Sequence, residues 1–163
     1  MVSRAETRLA ASDIELPPAP APFGAYVPAV QTGNLLFLTG MLPTAGHEAK
    51  FLGRAGTELN AEQGRRAARA AALNVLALAR KQLGSLDRIS RVVRLGVYIA
   101  TAGDFAHHVT VADAASELFR AVLGEDKMSS RLVSGVESLP LGVPVELEVI
   151  WKFPPNAYLN DAF

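Results

Sequence analysis

One long alanine-rich helix constrains this chain more than any other feature. Asn60 stands at its start, Gln63 follows three residues later, and Gly84 comes directly after Leu83. Asparagine with glutamine three positions on can satisfy the exposed amides of a first helical turn, and glycine readily supplies the left-handed residue that ends a helix. Between these signals Ala68, Ala71, Ala72, Val75, Leu76, Ala79 and Leu83 recur at helical spacing, so one face must pack on something flat.

The remaining segments offer strands for that layer. Residues 25–30 and 35–39 read as two strands joined by a hairpin turn at Thr32-Gly33-Asn34. Residues 40–56 read as a glycine-containing loop with a short strand at 50–52. A strand over 89–99 turns Val93, Leu95, Val97 and Ile99 to one side, and a second helix over 105–123 stops at Gly124. Final strands are expected at 130–136 and 145–153. In the last, Val145, Leu147, Val149, Trp151 and Phe153 share a face, against Glu146, Glu148, Ile150 and Lys152 on the other. This order predicts an α+β sandwich, one sheet with two helices on one side. Leu36, Leu38, Val92 and Ile150 are expected on the uncovered face, where so much apolar surface calls for self-association. Residues 1–22 form a short leading helix at 3–12 and a Pro-rich connector, PPAPAPFG, held extended by its prolines. The domain proper spans 23–153, and 154–163 is a loosely held tail.

At 163 residues the chain suits one domain. Acidic and basic residues number 16 each, so no net field favours nucleic acid or a membrane surface. The absence of cysteine excludes disulfides and thiol chemistry. The N-terminus lacks a signal-like apolar core, and a cytoplasmic location is expected.

Arg131 opens a run of small and apolar residues ahead of Glu146 and Glu148. A guanidinium there either binds a small carboxylate through its planar fork or forms a structural ion pair with one of the glutamates. The segment alone favours the ion pair. If the last two strands formed a simple hairpin, Arg131 would lie about six positions, or roughly 20 Å, beyond Glu146. Either those strands are not neighbours in that register or the two residues meet across a subunit boundary; the second option is preferred. His107 and His108 are adjacent on a helix and cannot share a face, so no metal site is expected from them. Arg65, Arg66, Arg69 and Arg80 read as a solvated helix face, which weighs against RNA binding.

FGAYVPAVQTGNLLFLTGMLP, the alanine-rich helix ending in LG, DRISRVVRLGVYIA, DF and SRLVSGVESLPLGVPVELEVI occur in that order, and together they resemble the Rid (YjgF-like) reactive-intermediate deaminases. The resemblance covers residues 23–153 and looks like a longer branch with an added N-terminal helix. It implies a chorismate-mutase-like fold, a homotrimer whose sheets form a central barrel, and ligand clefts between subunits. It further implies hydrolysis of enamines and imines to 2-keto acids and ammonia, with no metal or organic cofactor. Alternatives are a non-catalytic trimer that binds small carboxylates, or the endoribonuclease activity with which relatives are labelled. By resemblance Arg131 binds the carboxylate and Glu146 orients a water. Tyr26, Thr39 and Gly40 line the cleft, and Val133 offers a backbone N–H. Met41 replaces a glutamine, Val27 and Pro28 replace Ser-Gln, Val109 stands where many relatives have asparagine, and Ser129 replaces alanine or proline. Such a pocket is more apolar and suits a bulkier or less polar ligand.

Overall fold

The computed structural model describes residues 4–155. Helix α1 spans Ala5–Ala10, and the hairpin strands β1 and β2 span Ala29–Thr32 and Leu35–Leu38. A small ladder follows, β3 (Thr44–Ala45) with β4 (Glu48–Ala49), and then α2 (Ala61–Leu83), β5 (Arg91–Ala100), α3 (His108–Leu123), β6 (Ser130–Val136) and β7 (Val145–Lys152). Five strands make the main sheet in the order β1-β2-β7-β5-β6, with only β5 and β6 parallel. This is the expected α+β sandwich.

The predicted caps of α2 form: Asn60 Oδ1 accepts from Gln63 N–H at 2.9 Å, and Gln63 Oε1 accepts from Asn60 N–H at 2.8 Å. Gly84 closes the helix at φ 79°, a left-handed value that would strain a residue bearing Cβ. The helix lays Ala68, Ala71, Ala72, Val75, Leu76 and Ala79 into the core, together with Val145, Leu147, Val149, Trp151 and Phe153 from the last strand segment. Trp151 meets Phe119 of α3 edge to face at 5.6 Å.

Several expectations need correcting. Leu36, Leu38 and Val92 lie on the helix-covered face, each no more than 7% exposed. Leu36 pairs with Trp151, so both point inward. A bulge between Val92 and Arg94 shifts the phase of β5, and Val92 rather than Val93 joins the buried set with Leu95, Val97 and Ile99. The uncovered face instead carries Val30, Phe37, Leu132 and Ile150 around Arg94, Tyr98 and Glu148. β1 starts after Pro28, which has no N–H to give a ladder. No strand forms at 50–52: the turn at Gly46 pairs Thr44 with Ala49, and the ladder ends there, before Lys50. The tail beyond 155 falls outside the described residues.

The leading helix clamps the ends of the other two. Arg8 donates to the carbonyls of Val122 and Leu123 at the C-terminus of α3. Glu6 accepts from the N–H of Leu86 at 2.9 Å and pairs with Arg80 at 3.0 Å. No helix among the described residues is long and apolar enough to cross a membrane.

Asn74, 2% exposed, donates to the carbonyls of Leu42 and Thr44 at 2.9 Å each and so fixes the chain that leaves β2. Asn74→Ala is expected to cost about 2–4 kcal/mol, because two buried acceptors lose their donors. Urea unfolding checks this; a loss below about 0.5 kcal/mol would mean the carbonyls find other partners.

Candidate functional site

After β2 ends at Leu38, Thr39 N–H donates to Pro28 O at 2.9 Å. Met41 then exchanges both backbone hydrogen bonds with Leu147, at 2.8 and 2.9 Å. This passage carries Gly40 against the side chain of Glu146. A Cβ on residue 40 would sit 2.2 Å from Glu146 Oε1, so glycine is the residue that fits beside an undisplaced carboxyl. Tyr26, Thr39, Gly40, Met41 and Glu146 thereby line one cavity of about 280 Å³, completed by the Pro20–Gly24 segment, Leu42, Leu78 and Leu141. The Tyr26 hydroxyl accepts from Phe23 N–H at 2.9 Å, tying that segment down.

Glu146 is half-buried, and among the described residues it has no hydrogen-bond or ion-pair partner. Burial removes water from its carboxylate and raises its pKa above the ordinary glutamate range. Glu148, two residues on along the same face, accepts from the Tyr98 hydroxyl at 3.0 Å and faces Arg94 at 3.9 Å.

Arg131 belongs to a different place. It pairs in register with Leu95, whose side chain is in the core, and so faces α3. Its Nη1 donates to Asp113 Oδ1 at 2.8 Å and to Ser116 Oγ at 3.0 Å. Its ion-pair partner is thus Asp113 rather than Glu146 or Glu148. Val133, on the same face two residues along, packs against the core. Val109, Asp113 and Ser116 follow one stripe of α3 at i, i+4 and i+7, with Val109 59% exposed one turn before the aspartate. His108 lies against β6: a Cβ on Gly135 would meet its Nε2 at 2.6 Å, and its ring stands edge-on to Phe105 at 5.3 Å.

The hairpin premise for Arg131 and Glu146 fails, because β5 lies between β6 and β7. Arg131 is level with Val149, so Glu146 is two strand spacings of about 4.8 Å across and three residues of about 3.3 Å along. The decisive obstacle is orientation. Glu146 pairs with Tyr98 on the uncovered face, while Arg131 points to the helices. One chain therefore keeps the two groups on opposite faces of the sheet: a lone carboxyl in the cavity, and beside α3 a guanidinium whose Nε and Nη2 make no hydrogen bond among the described residues.

Asp113 and Ser116 escaped the sequence reading. Their i, i+3 spacing marks a common face, but only the neighbourhood of α3 and β6 identifies Arg131 as what they hold. Of the helix arginines, Arg65 pairs with Glu117 at 2.6 Å and Arg80 with Glu6 at 3.0 Å, so this face is partly neutralised.

The raised pKa of Glu146 has a stability signature. Between the ordinary glutamate value of about 4.3 and the folded value, the folded protein binds more protons than the unfolded chain, so stability falls as pH rises through that window. Glu146→Gln removes the titration. Urea unfolding at pH 4 and pH 7 is expected to show E146Q gaining on wild type at the higher pH; a difference that does not change with pH would contradict the burial effect.

Known proteins resemble this chain in sequence and fold. Residues 6–151 match the family model described as "YjgF/chorismate mutase-like, putative endoribonuclease". Protein TCP17 of Trypanosoma cruzi is 38% identical over 138 residues, 84% of this chain and 86% of that protein. A Shewanella oneidensis structure carrying the same endoribonuclease description superposes with TM-score 0.88 at 27% identity, covering 93% of this chain and all of that one. RidA from an Antarctic Psychrobacter superposes with TM-score 0.61 at 25% identity over 87% and 99% of the two chains. With the family model and the 38%-identical relative in agreement, the chain belongs to the YjgF/chorismate-mutase-like, or Rid, family.

Proposed function

We propose that the protein hydrolyses small imines and enamines to 2-keto acids and ammonia in a cleft formed between protomers of a homotrimer. The observation that carries this reading is the unpartnered Glu146 carboxyl in an apolar cavity, on the face of the sheet away from Arg131. A second protomer, docked with its uncovered face inward, would set its cavity beside the guanidinium of its neighbour. The exposed Phe37, Val30 and Leu132 give that face the apolar area an interface needs.

The chemistry needs little from the protein beyond position. Arg131, held through Nη1, offers its Nε and Nη2 edge to a carboxylate. The imine carbon is already electrophilic, so a positioned water is a competent nucleophile. With the imine nitrogen protonated, Glu146 takes a proton from that water as the water oxygen bonds to carbon and the C=N pair moves to nitrogen, giving a neutral carbinolamine. Glu146 then returns the proton to the amine nitrogen; the C–N bond breaks, ammonia leaves with the bonding pair, and Glu146 takes the hydroxyl proton as the carbonyl forms. The sum is one protonated imine and one water consumed, and one keto acid, one ammonia and one proton made. An enamine first accepts a proton at carbon, for which a carboxyl of raised pKa is suited.

The test is complementation. Arg131→Ala and Glu146→Gln are each expected to lower the rate of keto-acid release from a freshly generated imine by at least about a hundredfold. Unfolded together and refolded, the two variants should regain activity, since random assortment gives roughly a quarter of clefts an intact arginine and glutamate from different chains. A mixture no more active than its parts would overturn the intersubunit cleft, and full activity of R131A alone would overturn the deaminase reading. Thermal protection by 2-keto acids without turnover would identify a binding protein instead.

A further inference from the structure

We infer that the connector over Pro20–Gly24 roofs the Glu146 cavity and makes it select substrates whose reacting carbon bears a bulky hydrocarbon group, branched aliphatic or aromatic. This rests on the deaminase reading for the reaction, though not for the selection itself. The cavity lining combines the polar Glu146, Thr39 and Thr44 with the apolar Met41, Leu42 and Leu78. Pro20 and Pro22 add roof atoms and, having no N–H, give a polar substituent no backbone donor. A hydroxyl or amide placed there would leave water without a new partner. A hydrocarbon group would instead exchange water for packed carbon. The volume of about 280 Å³ equals roughly nine waters, more than a methyl-bearing substrate needs.

The roof is fastened rather than draped. Phe23 N–H donates to the Tyr26 hydroxyl at 2.9 Å, and the Phe23 ring lies 4.8 Å from that of His47. Pro20, Ala21 and Thr44 also line an adjoining cavity of about 710 Å³, so the connector borders both. At the rim, Leu141 holds a left-handed backbone, φ 59° and ψ 12°, with its side chain 51% exposed. A leucine there is disfavoured locally, as glycine is the residue suited to such a turn. What the leucine adds is an apolar wall on the cavity.

The experiment measures binding of pyruvate, 4-methyl-2-oxopentanoate and phenylpyruvate, as sodium salts, by calorimetry on the intact protein, with turnover of the corresponding imines followed separately. The two larger keto acids are expected to bind about tenfold more tightly than pyruvate or better. Leu141→Gly should raise resistance to urea by relieving the turn while cutting that ratio at least about threefold, a combination that a purely structural leucine does not give. Met41→Gln, nearly equal in volume, should cut the ratio too. Equal affinities, or tighter binding of pyruvate, would overturn the selection, as would an undiminished ratio in both variants. Graded binding without turnover would refute the deaminase reading and leave the selection standing.

Discussion

Two backbone hydrogen bonds between Met41 and Leu147 hold the molecule's chemistry in place. They attach the chain leaving the hairpin to the middle strand of the sheet, one residue from Glu146. Because the bond runs both ways, Gly40 has little freedom to lift away, and the carboxyl keeps an apolar wall on one side. Asn74 extends the same anchorage outward by binding the carbonyls of Leu42 and Thr44 from the long helix. The helix that most constrained the fold therefore also shapes the site, through one polar residue in an otherwise alanine-rich face.

Local features were legible in the sequence and relational ones were not. The caps at Asn60, Gln63 and Gly84 act within a few residues, so their chemistry could be read directly. The alternation from Val145 to Phe153 likewise gave the right face, because charged and apolar residues took strict turns. Leu35-Leu36-Phe37-Leu38 has no such alternation, and its phase is set only by pairing with Lys152, Trp151 and Ile150. Two adjacent valines concealed the bulge in β5 for the same reason. The insertion of β5 between β6 and β7 depends on a crossover that no short motif encodes.

The site was legible in the same uneven way. Tyr26, Thr39, Gly40, Met41 and Glu146 line one cavity. Arg131 and Val133 stand apart on the helix side, and Val109 shares that side's helical stripe without being the residue that holds the arginine. Asp113 does that, and its charge leaves the guanidinium less available to a distant anion than an unpaired one. In the proposed reaction, affinity for a carboxylate would then come from close bidentate contact and from what the rest of the ligand buries.

The clamp made by Arg8 and Glu6 also bears on the order of folding. Arg8 bonds to a carbonyl 115 positions later in the chain, and Glu6 to an amide 80 positions later. Six residues are too few for a helix to persist alone in water, so α1 gains its shape only once α3 exists. These turns are thus among the last to settle. The prolines that follow them line a cavity whose other walls include Glu146 of the sheet and Leu78 of α2, so they close over it only after those have assembled.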